Sequence, residues 1–250
     1  MTDTIIETRG LVRRFSGFTA VDGVNLKIAR NSVHALIGPN GAGKTTVFNL
    51  ISKFLAPSEG QILFNGRDIT RTKPAEVARQ GMVRSFQISA IFGRMTVAEN
   101  LRIALQRPTG LSMNFLRGDT VLAGLDGRVD ELLDAVGMLD WRDRPAAGLP
   151  YGRKRALEFA TTLALDPELM LLDEPMAGLG TEDIERITAL IAGEAQRRTI
   201  LMVEHNLSVV AELADRITVL ARGNMLAEGN YADISADEAV IEAYIGGDID

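Results

Sequence analysis

The chain has 250 residues, 46% of them hydrophobic and 24% charged, with a formal net charge of −6 and no cysteine. That length carries one large domain or two small ones with a substantial core, and the missing cysteines exclude disulfides and thiolate metal sites, as fits the cytosol. The acidic balance speaks against nucleic acid as a partner, and the chain lacks both the roughly 18-residue apolar run of a membrane span and the basic start and apolar core of a secretory signal.

Short apolar runs alternate with longer helical patterns, the mark of an α/β protein. SVHALIG (32–38) reads as a buried strand, KTTVFNLISKF (44–54) as the helix after it, and QILFNG (61–66) as a strand closing on glycine. From Gln87 to about Gly148 helical periodicity takes over. TVAENLRIAL (96–105) and VDELLDAVGML (129–139) are its helices, and the Gly-, Ser-, Thr- and Asp-rich stretch from Arg107 to Gly127 is an extended loop. PELMLLDE (167–174) and TILMVE (199–204) read as further buried strands. ITVLARGNMLAEG (217–229) reads as a hairpin turning at Gly223-Asn224, and ADEAVIEAYIG (236–246) as a closing helix. The pattern is an α/β core with a helical insertion.

GPNGAGKT, Gly38 to Thr45, fits G-x-x-x-x-G-K-[ST] and lies between a strand and a helix, the context that motif requires. The glycines let the backbone curl so that successive N–H groups of Gly38, Pro39, Asn40, Gly41, Ala42, Gly43, Lys44, Thr45 and Thr46 (Pro39 excepted) surround phosphate oxygens, and the helix terminus adds partial positive charge. Lys44 supplies a compact cation for the β- and γ-phosphates, and the Thr45 hydroxyl suits Mg²⁺. In LMLLDEP, Asp173 and Glu174 stand at the exit of an apolar strand. Asp173 suits the Mg²⁺ shell, and Glu174 is placed to orient or deprotonate an attacking water. Alone, such a pair is better read as an ordinary acidic strand cap; beside a phosphate loop the metal and water roles prevail. His205 follows TILMVE and is placed to contact a γ-phosphate, although a lone histidine is more often structural; His34 reads as core.

The order GPNGAGKT, VRSFQ, L-x-Y-G, LMLLDEP, VEH resembles the ATP-binding subunit of ABC transporters over nearly the whole chain. The resemblance implies a P-loop NTPase (RecA-like) core of ABC ATPase type with an N-terminal β-subdomain, residues 1–87 and 166–250, and an inserted helical subdomain, residues 88–165. It makes Gln87 the glutamine that touches Mg²⁺ and the water, Phe15 in RRFSGF the aromatic that stacks on adenine, and His205 the switch histidine.

LPYGRKRAL, 149–157, stands where the family reads L-S-G-G-Q, a helix start that faces ATP held by the other subunit of a head-to-tail dimer. Leu149 and Gly152 are kept; Pro150, Tyr151 and Arg153 depart from the pattern. The lost serine hydroxyl removes one hydrogen bond to a charged group, roughly 1.5–3 kcal/mol. The helix N-terminus still offers N–H groups and a favourable dipole, and proline is tolerated in a first turn. Arg153 reads either as a cation near the partner's nucleotide or as part of a solvated face with Lys154 and Arg155, Glu158 pairing Lys154 at i+4. Farther on, Gly180 replaces the family's interface-crossing aspartate.

The L-x-Y-G form, the VRSFQ spelling, the long loop and the AYIG ending look like ATP subunits of branched-chain amino acid importers. Importers of urea, amides and aromatic acids, and some lipid or lipopolysaccharide exporters, share part of this. The resemblance implies ATP and Mg²⁺ as cofactors, a second ATP-binding subunit (identical or not), integral membrane permease subunits, and a periplasmic solute-binding protein reached indirectly. It places the chain peripherally on the inner face of the cell membrane. FQISAIFGRM (86–95) offers Ile88, Ile91, Phe92 and Met95 either as a permease-docking surface or as core. A soluble ABC protein acting on nucleic acid or ribosomes is a competing reading, against which stand the single cassette and the absence of a long coiled coil.

Overall fold

A computed structural model describes residues 3–85, 91–106 and 124–245. These fall into two compact units, one within Met1–Arg84, Glu168–Met176 and Ile191–Asp250, the other within Ser85–Pro167 and Ala177–Leu190.

The first unit holds two sheets. One is antiparallel, with strands β1 (Thr4–Phe15), β2 (Phe18–Val24), β5 (Glu59–Phe64) and β6 (Arg67–Asp68) in the order β2-β1-β5-β6, and β3 (Lys27–Ala29) also on β1. The other has the order β11-β10-β4-β9-β8-β7, built from β4 (Val33–Ile37), β7 (Met82–Arg84), β8 (Leu169–Asp173), β9 (Thr199–Val203), β10 (Arg216–Ala221) and β11 (Asn224–Gly229). β7, β8, β9, β4 and β10 run parallel; β11 returns antiparallel to β10. Every residue of β4, β8 and β9 is buried, as befits central parallel strands covered on both faces, and explains their unbroken apolar runs. Helix α1 (Lys44–Ile51) contributes Val47, Phe48, Leu50 and Ile51 to a core shared with Ile6, Ile28 and Ile62 of the first sheet and Leu36, Leu171 and Leu201 of the second.

Three sequence boundaries shift. α1 stops at Ile51, short of Phe54, because Lys53 turns left-handed at φ 66. The hairpin turns on Arg222 and Gly223 (φ 49 and 81), and Asn224 already pairs with Ala221; the tightest hairpin turn needs positive φ at both central residues. The closing helix is α9 (Glu238–Ile245), starting two residues late because the extended Asp237 accepts N–H bonds from Ala239 and Val240, and a further helix, α8 (Tyr231–Ala236), precedes it. Strands β1, β2, β3, β6 and β7 and helices α2 (Pro74–Arg79), α6 (Thr181–Ala195) and α7 (Leu207–Leu213) were among the elements the sequence left unassigned.

In the second unit α3 (Val97–Gln106) opens on a capping box, Glu99 N–H to Thr96 Oγ1 at 3.2 Å and Thr96 N–H to Glu99 Oε2 at 2.7 Å. α4 (Asp126–Ala135) takes in Asp126 and Gly127 from the expected loop and ends before Gly137, at φ 64. α5 (Tyr151–Leu163) follows the L-x-Y-G stretch. Leu101, Leu105, Val129, Leu132, Leu133, Leu157 and Phe159 form the buried faces of α3, α4 and α5. The unit also takes in 177–190, which joins it through contacts to Tyr151 and Gly152.

Candidate functional site

β4 delivers the chain to Gly38, and α1 carries it away from Gly43. Between them the loop closes on itself, with Ala42 N–H donating to the Pro39 carbonyl at 3.2 Å. Two of its glycines are required by close approach. A Cβ on Gly38 would lie 2.1 Å from the Leu220 carbonyl oxygen, and one on Gly43 2.6 Å from that of Ala20, both at positive φ. The β10–β11 turn buttresses the loop through Gly223 N–H, which donates to the Ala42 carbonyl at 3.0 Å.

A cavity of about 310 Å³ is lined by Asn40, Gly41, Ala42, Gly43, Lys44, Thr45 and Thr46, with Phe18 and Ala20 from β2 and with Glu174. Lys44 Nζ donates to the carbonyls of Gly38 and Pro39 at 2.6 and 2.9 Å. Burial lowers its pKa below the usual lysine value, and the Glu174 carboxylate partly opposes that shift. The ammonium is therefore desolvated and satisfied by weak neutral acceptors, which an anionic phosphate would outcompete.

Glu174 stands at φ 47, a left-handed conformation unusual for its type, with its N–H bonded to the Val203 carbonyl at 2.9 Å. Such strain persists only where neighbours over-determine it, and clusters at functional sites. Glu204 does part of that work. Its buried carboxylate accepts from Met176 N–H at 3.0 Å, His205 N–H at 2.9 Å and Asn206 N–H at 3.0 Å, tying the turn after β8 to the turn after β9. The sequence reading passed over Glu204, although an acid directly after an all-apolar strand and before a histidine is a visible signal.

Asp173 lies outside the cavity wall. It is buried, and Oδ2 accepts from Arg84 Nη2 at 2.6 Å. Arg84 is held in turn by Asn49 Oδ1 at 2.6 Å and by the Phe48 ring, 4.8 Å from its guanidinium carbon. The second carboxylate oxygen and the Thr45 hydroxyl are hard oxygen donors that suit Mg²⁺, which binds through few protein ligands and completes its shell with phosphate and water. Among the described residues no cluster of three acidic, histidine or cysteine groups could hold a metal on its own. His205 is exposed and outside the cavity lining; Gln87 falls outside the described residues. Phe15 is likewise absent from the lining, where Phe18 stands instead. His34 is core as expected, Nε2 facing Thr218 Oγ1 at 2.8 Å and its pKa lowered to about 4 by burial.

In the second unit, Leu149 is buried and Pro150 caps α5 at φ −55, ψ 155 without a capping side chain. Tyr151 OH donates to the Ala177 carbonyl at 3.2 Å, and its ring faces Gly178. Arg153 Nη1 donates to the Gly137 carbonyl at 2.7 Å, and its guanidinium carbon lies 5.6 Å from the Trp141 ring. It is thus committed within its own chain. The Lys154–Glu158 pair gives way to Arg155–Glu158 at 3.1 Å, because Arg155 shares the buried face on which Glu158 lies. Gly152 is buried, and Asp183 of α6 occupies the place its Cβ would take. Of the candidate docking residues, Phe92 and Met95 are exposed and Ile91 half-buried, so they are not core; Ile88 falls outside the described residues.

Family comparison matches residues 21–177 to the ABC transporter family and residues 224–250 to the branched-chain amino acid ATP-binding cassette transporter family. The high-affinity branched-chain amino acid transport ATP-binding protein LivG of Escherichia coli is 38% identical, over 98% of this chain and 99% of that protein. The corresponding BraF of Pseudomonas aeruginosa is also 38% identical, with the same coverage. Among solved structures, the ADP conformation of an ATP-binding cassette of an ABC transporter superposes with a TM-score of 0.85 at 31% identity, covering 98% of this chain and 100% of the other. A nucleotide-free ATP-binding cassette gives 0.83 at 30% identity, covering 97% and 99%.

Proposed function

The chain belongs to the ATP-binding proteins of ABC transporters, in their branched-chain amino acid group, and from that membership we propose that it hydrolyses ATP to drive uptake of branched-chain amino acids or a related small polar solute. The observation that carries this is the cavity in which the glycine loop, the Lys44 ammonium and the strained Glu174 meet. On binding, the triphosphate draws Lys44 off the Gly38 and Pro39 carbonyls, and the loop N–H groups with the start of α1 take up the remaining phosphate charge. Glu174 orients the attacking water and receives its proton. Thr45, Asp173 and Gln87 would hold Mg²⁺, which would supply positive charge against the phosphates. His205 contacts the γ-phosphate.

The nucleotide-binding core comprises 1–87 and 166–250, and the inserted helical subdomain 88–165. Two such subunits, identical or not, close head to tail, so that Leu149–Arg153 of each meets the partner's nucleotide through the N–H groups at the start of α5. Pro150 costs the helix no internal bond, since the N–H it lacks had no intrahelical partner, and the N–H groups of Tyr151, Gly152 and Arg153 that follow it remain. Closure is a population shift, the closed state gaining phosphate contacts the open one lacks. Among the described residues no helix is long and apolar enough to cross a membrane. The membrane therefore enters through permease subunits docked on the cytoplasmic side, with Ile91, Phe92 and Met95 as contacts, and a periplasmic binding protein delivers the solute.

Glu174→Gln tests the assignment. The amide keeps the shape and loses the base, so hydrolysis by the purified protein should fall at least about 10²-fold while ATP still binds. Near wild-type turnover would remove Glu174 from its role.

A further inference from the structure

Lys53 combines two features that disfavour a lysine. It is 8% exposed, so its ammonium is largely out of water, and its backbone stands at φ 66, in the left-handed region that favours glycine. A cation after a helix commonly turns back onto the last helical carbonyls. This one turns away from α1. Its Nζ donates to the Thr70 carbonyl at 2.7 Å, just past β6. Burial lowers its pKa, and the exposed Asp68, which accepts from Thr70 N–H at 2.8 Å, opposes that shift only in part. Lys44 stands in the same state at the phosphate loop, desolvated and held by neutral backbone carbonyls.

Lys53 also lines a cavity of about 490 Å³ in the first unit, formed by the end of α1, the run into β5 and the turn after β6. The exposed Arg71 brings a second cation there and Thr72 a hydroxyl, while Leu55 and Pro57 supply apolar surface. Glu59, an acid on the same wall, is paired through one oxygen with Arg14. Among the described residues none lines both this cavity and the one beside Lys44.

We propose that this cavity is a second ligand site, which takes a short aliphatic carboxylate. An ionised carboxylate is a stronger acceptor than the Thr70 carbonyl and draws Lys53 onto itself, with Arg71 and Thr72 completing its shell. The aliphatic body removes the Leu55 and Pro57 side chains from water, which inorganic phosphate does not. The left-handed backbone at Lys53 then has a reason to persist, since it turns the ammonium toward Thr70 and away from the helix end. A branched-chain amino acid and the α-keto acid of the same skeleton share this chemistry. The second Glu59 oxygen gives the amino acid's ammonium a partner that the keto acid does not use. The choice of these two compounds rests on the transport reading above; the site does not.

Calorimetric titration of the whole protein with leucine, with its α-keto acid and with inorganic phosphate tests this, ATP being titrated into the same samples. At least one of the two carboxylates should bind, and more tightly than phosphate. Lys53→Met keeps the length and removes the charge, and should weaken that binding about 10-fold to 100-fold, the effect of losing a hydrogen bond to a charged group. Arg71→Ala, at an exposed position, should weaken it as well. ATP affinity should stay unchanged in both variants. Tighter binding of leucine, with Glu59→Gln removing its advantage, identifies the amino acid as the ligand; tighter binding of the keto acid identifies the other source. The inference is overturned if neither carboxylate binds at millimolar concentration, if phosphate binds as tightly, or if Lys53→Met binds them as the wild type does. A wild-type protein that binds a carboxylate at Lys53 but no ATP would overturn the ATPase reading and leave this site standing.

Discussion

Gly152→Ala separates two reasons for the glycine in the L-x-Y-G stretch. A Cβ there would lie 1.8 Å from Asp183 Oδ2, 2.2 Å from its Cγ and 2.6 Å from Oδ1, so the carboxylate must leave. Asp183 is held by Arg186, 2.6 Å from Oδ1, a partly exposed i,i+3 pair whose loss costs only about 0.3–0.5 kcal/mol. Overpacking the start of α5 costs more, about 1–3 kcal/mol, or roughly 2–4 °C of melting temperature for each kcal/mol in a chain this long. Asp183→Ala opens the space, so Gly152→Ala combined with Asp183→Ala should melt close to the wild type. Turnover should behave otherwise. If the start of α5 meets the partner's γ-phosphate, the Asp183 carboxylate must first swing out of that place, whereas the added methyl cannot leave, so the double variant should remain slow in the assembled transporter and dimerise weakly with ATP. Thermal melting and ATPase assays on both variants measure the two effects separately. Recovery of turnover along with stability would refute the cross-dimer role and leave Gly152 as a packing residue alone.

Pro150→Ser adds one charge-assisted hydrogen bond, at most about 1.5–3 kcal/mol before desolvation of the new hydroxyl, and should tighten ATP-dependent dimerisation with little change in chemical rate. Sedimentation of the Glu174→Gln background with ATP reads it, and a large rise in turnover would contradict the division of labour between α5 and Glu174. Ile91→Asp places a charge beside the exposed Phe92 and Met95 and should release the protein from its permease while ATP affinity persists. Undiminished copurification with the permease would remove this surface from the interface.

The strands that carry chemistry were legible because each is a short apolar run buried on both faces, ending at a glycine or an acid: β4 at Gly38, β8 at Asp173. Of the N-terminal sheet only β5 was legible, from QILFNG; β1 was not, since TIIETRGLVRRF mixes buried and exposed positions and its pairing shifts register past Gly10. Asn224 was misplaced in the hairpin because Gly-Asn and Arg-Gly turns compete in the same four residues, and only the pairing of Ala221 with Asn224 decides. The phosphate loop could be read whole, because its spacing is itself the mechanism. Phe18, Glu204 and Asp183 could not, for their places depend on which segments meet: β2 at the loop, two turns at one carboxylate, α6 at the start of α5.

On the proposed function, ATP turnover at Lys44 and Glu174 powers amino-acid uptake. Proteoliposomes holding this chain, its partner ATP subunit and the permease, with ATP inside and leucine-loaded binding protein outside, test it most directly. Labelled leucine should accumulate, and accumulation should stop when Glu174→Gln replaces the wild-type chain. Leucine uptake that survives Glu174→Gln, or ATP turnover indifferent to the loaded binding protein, would contradict it.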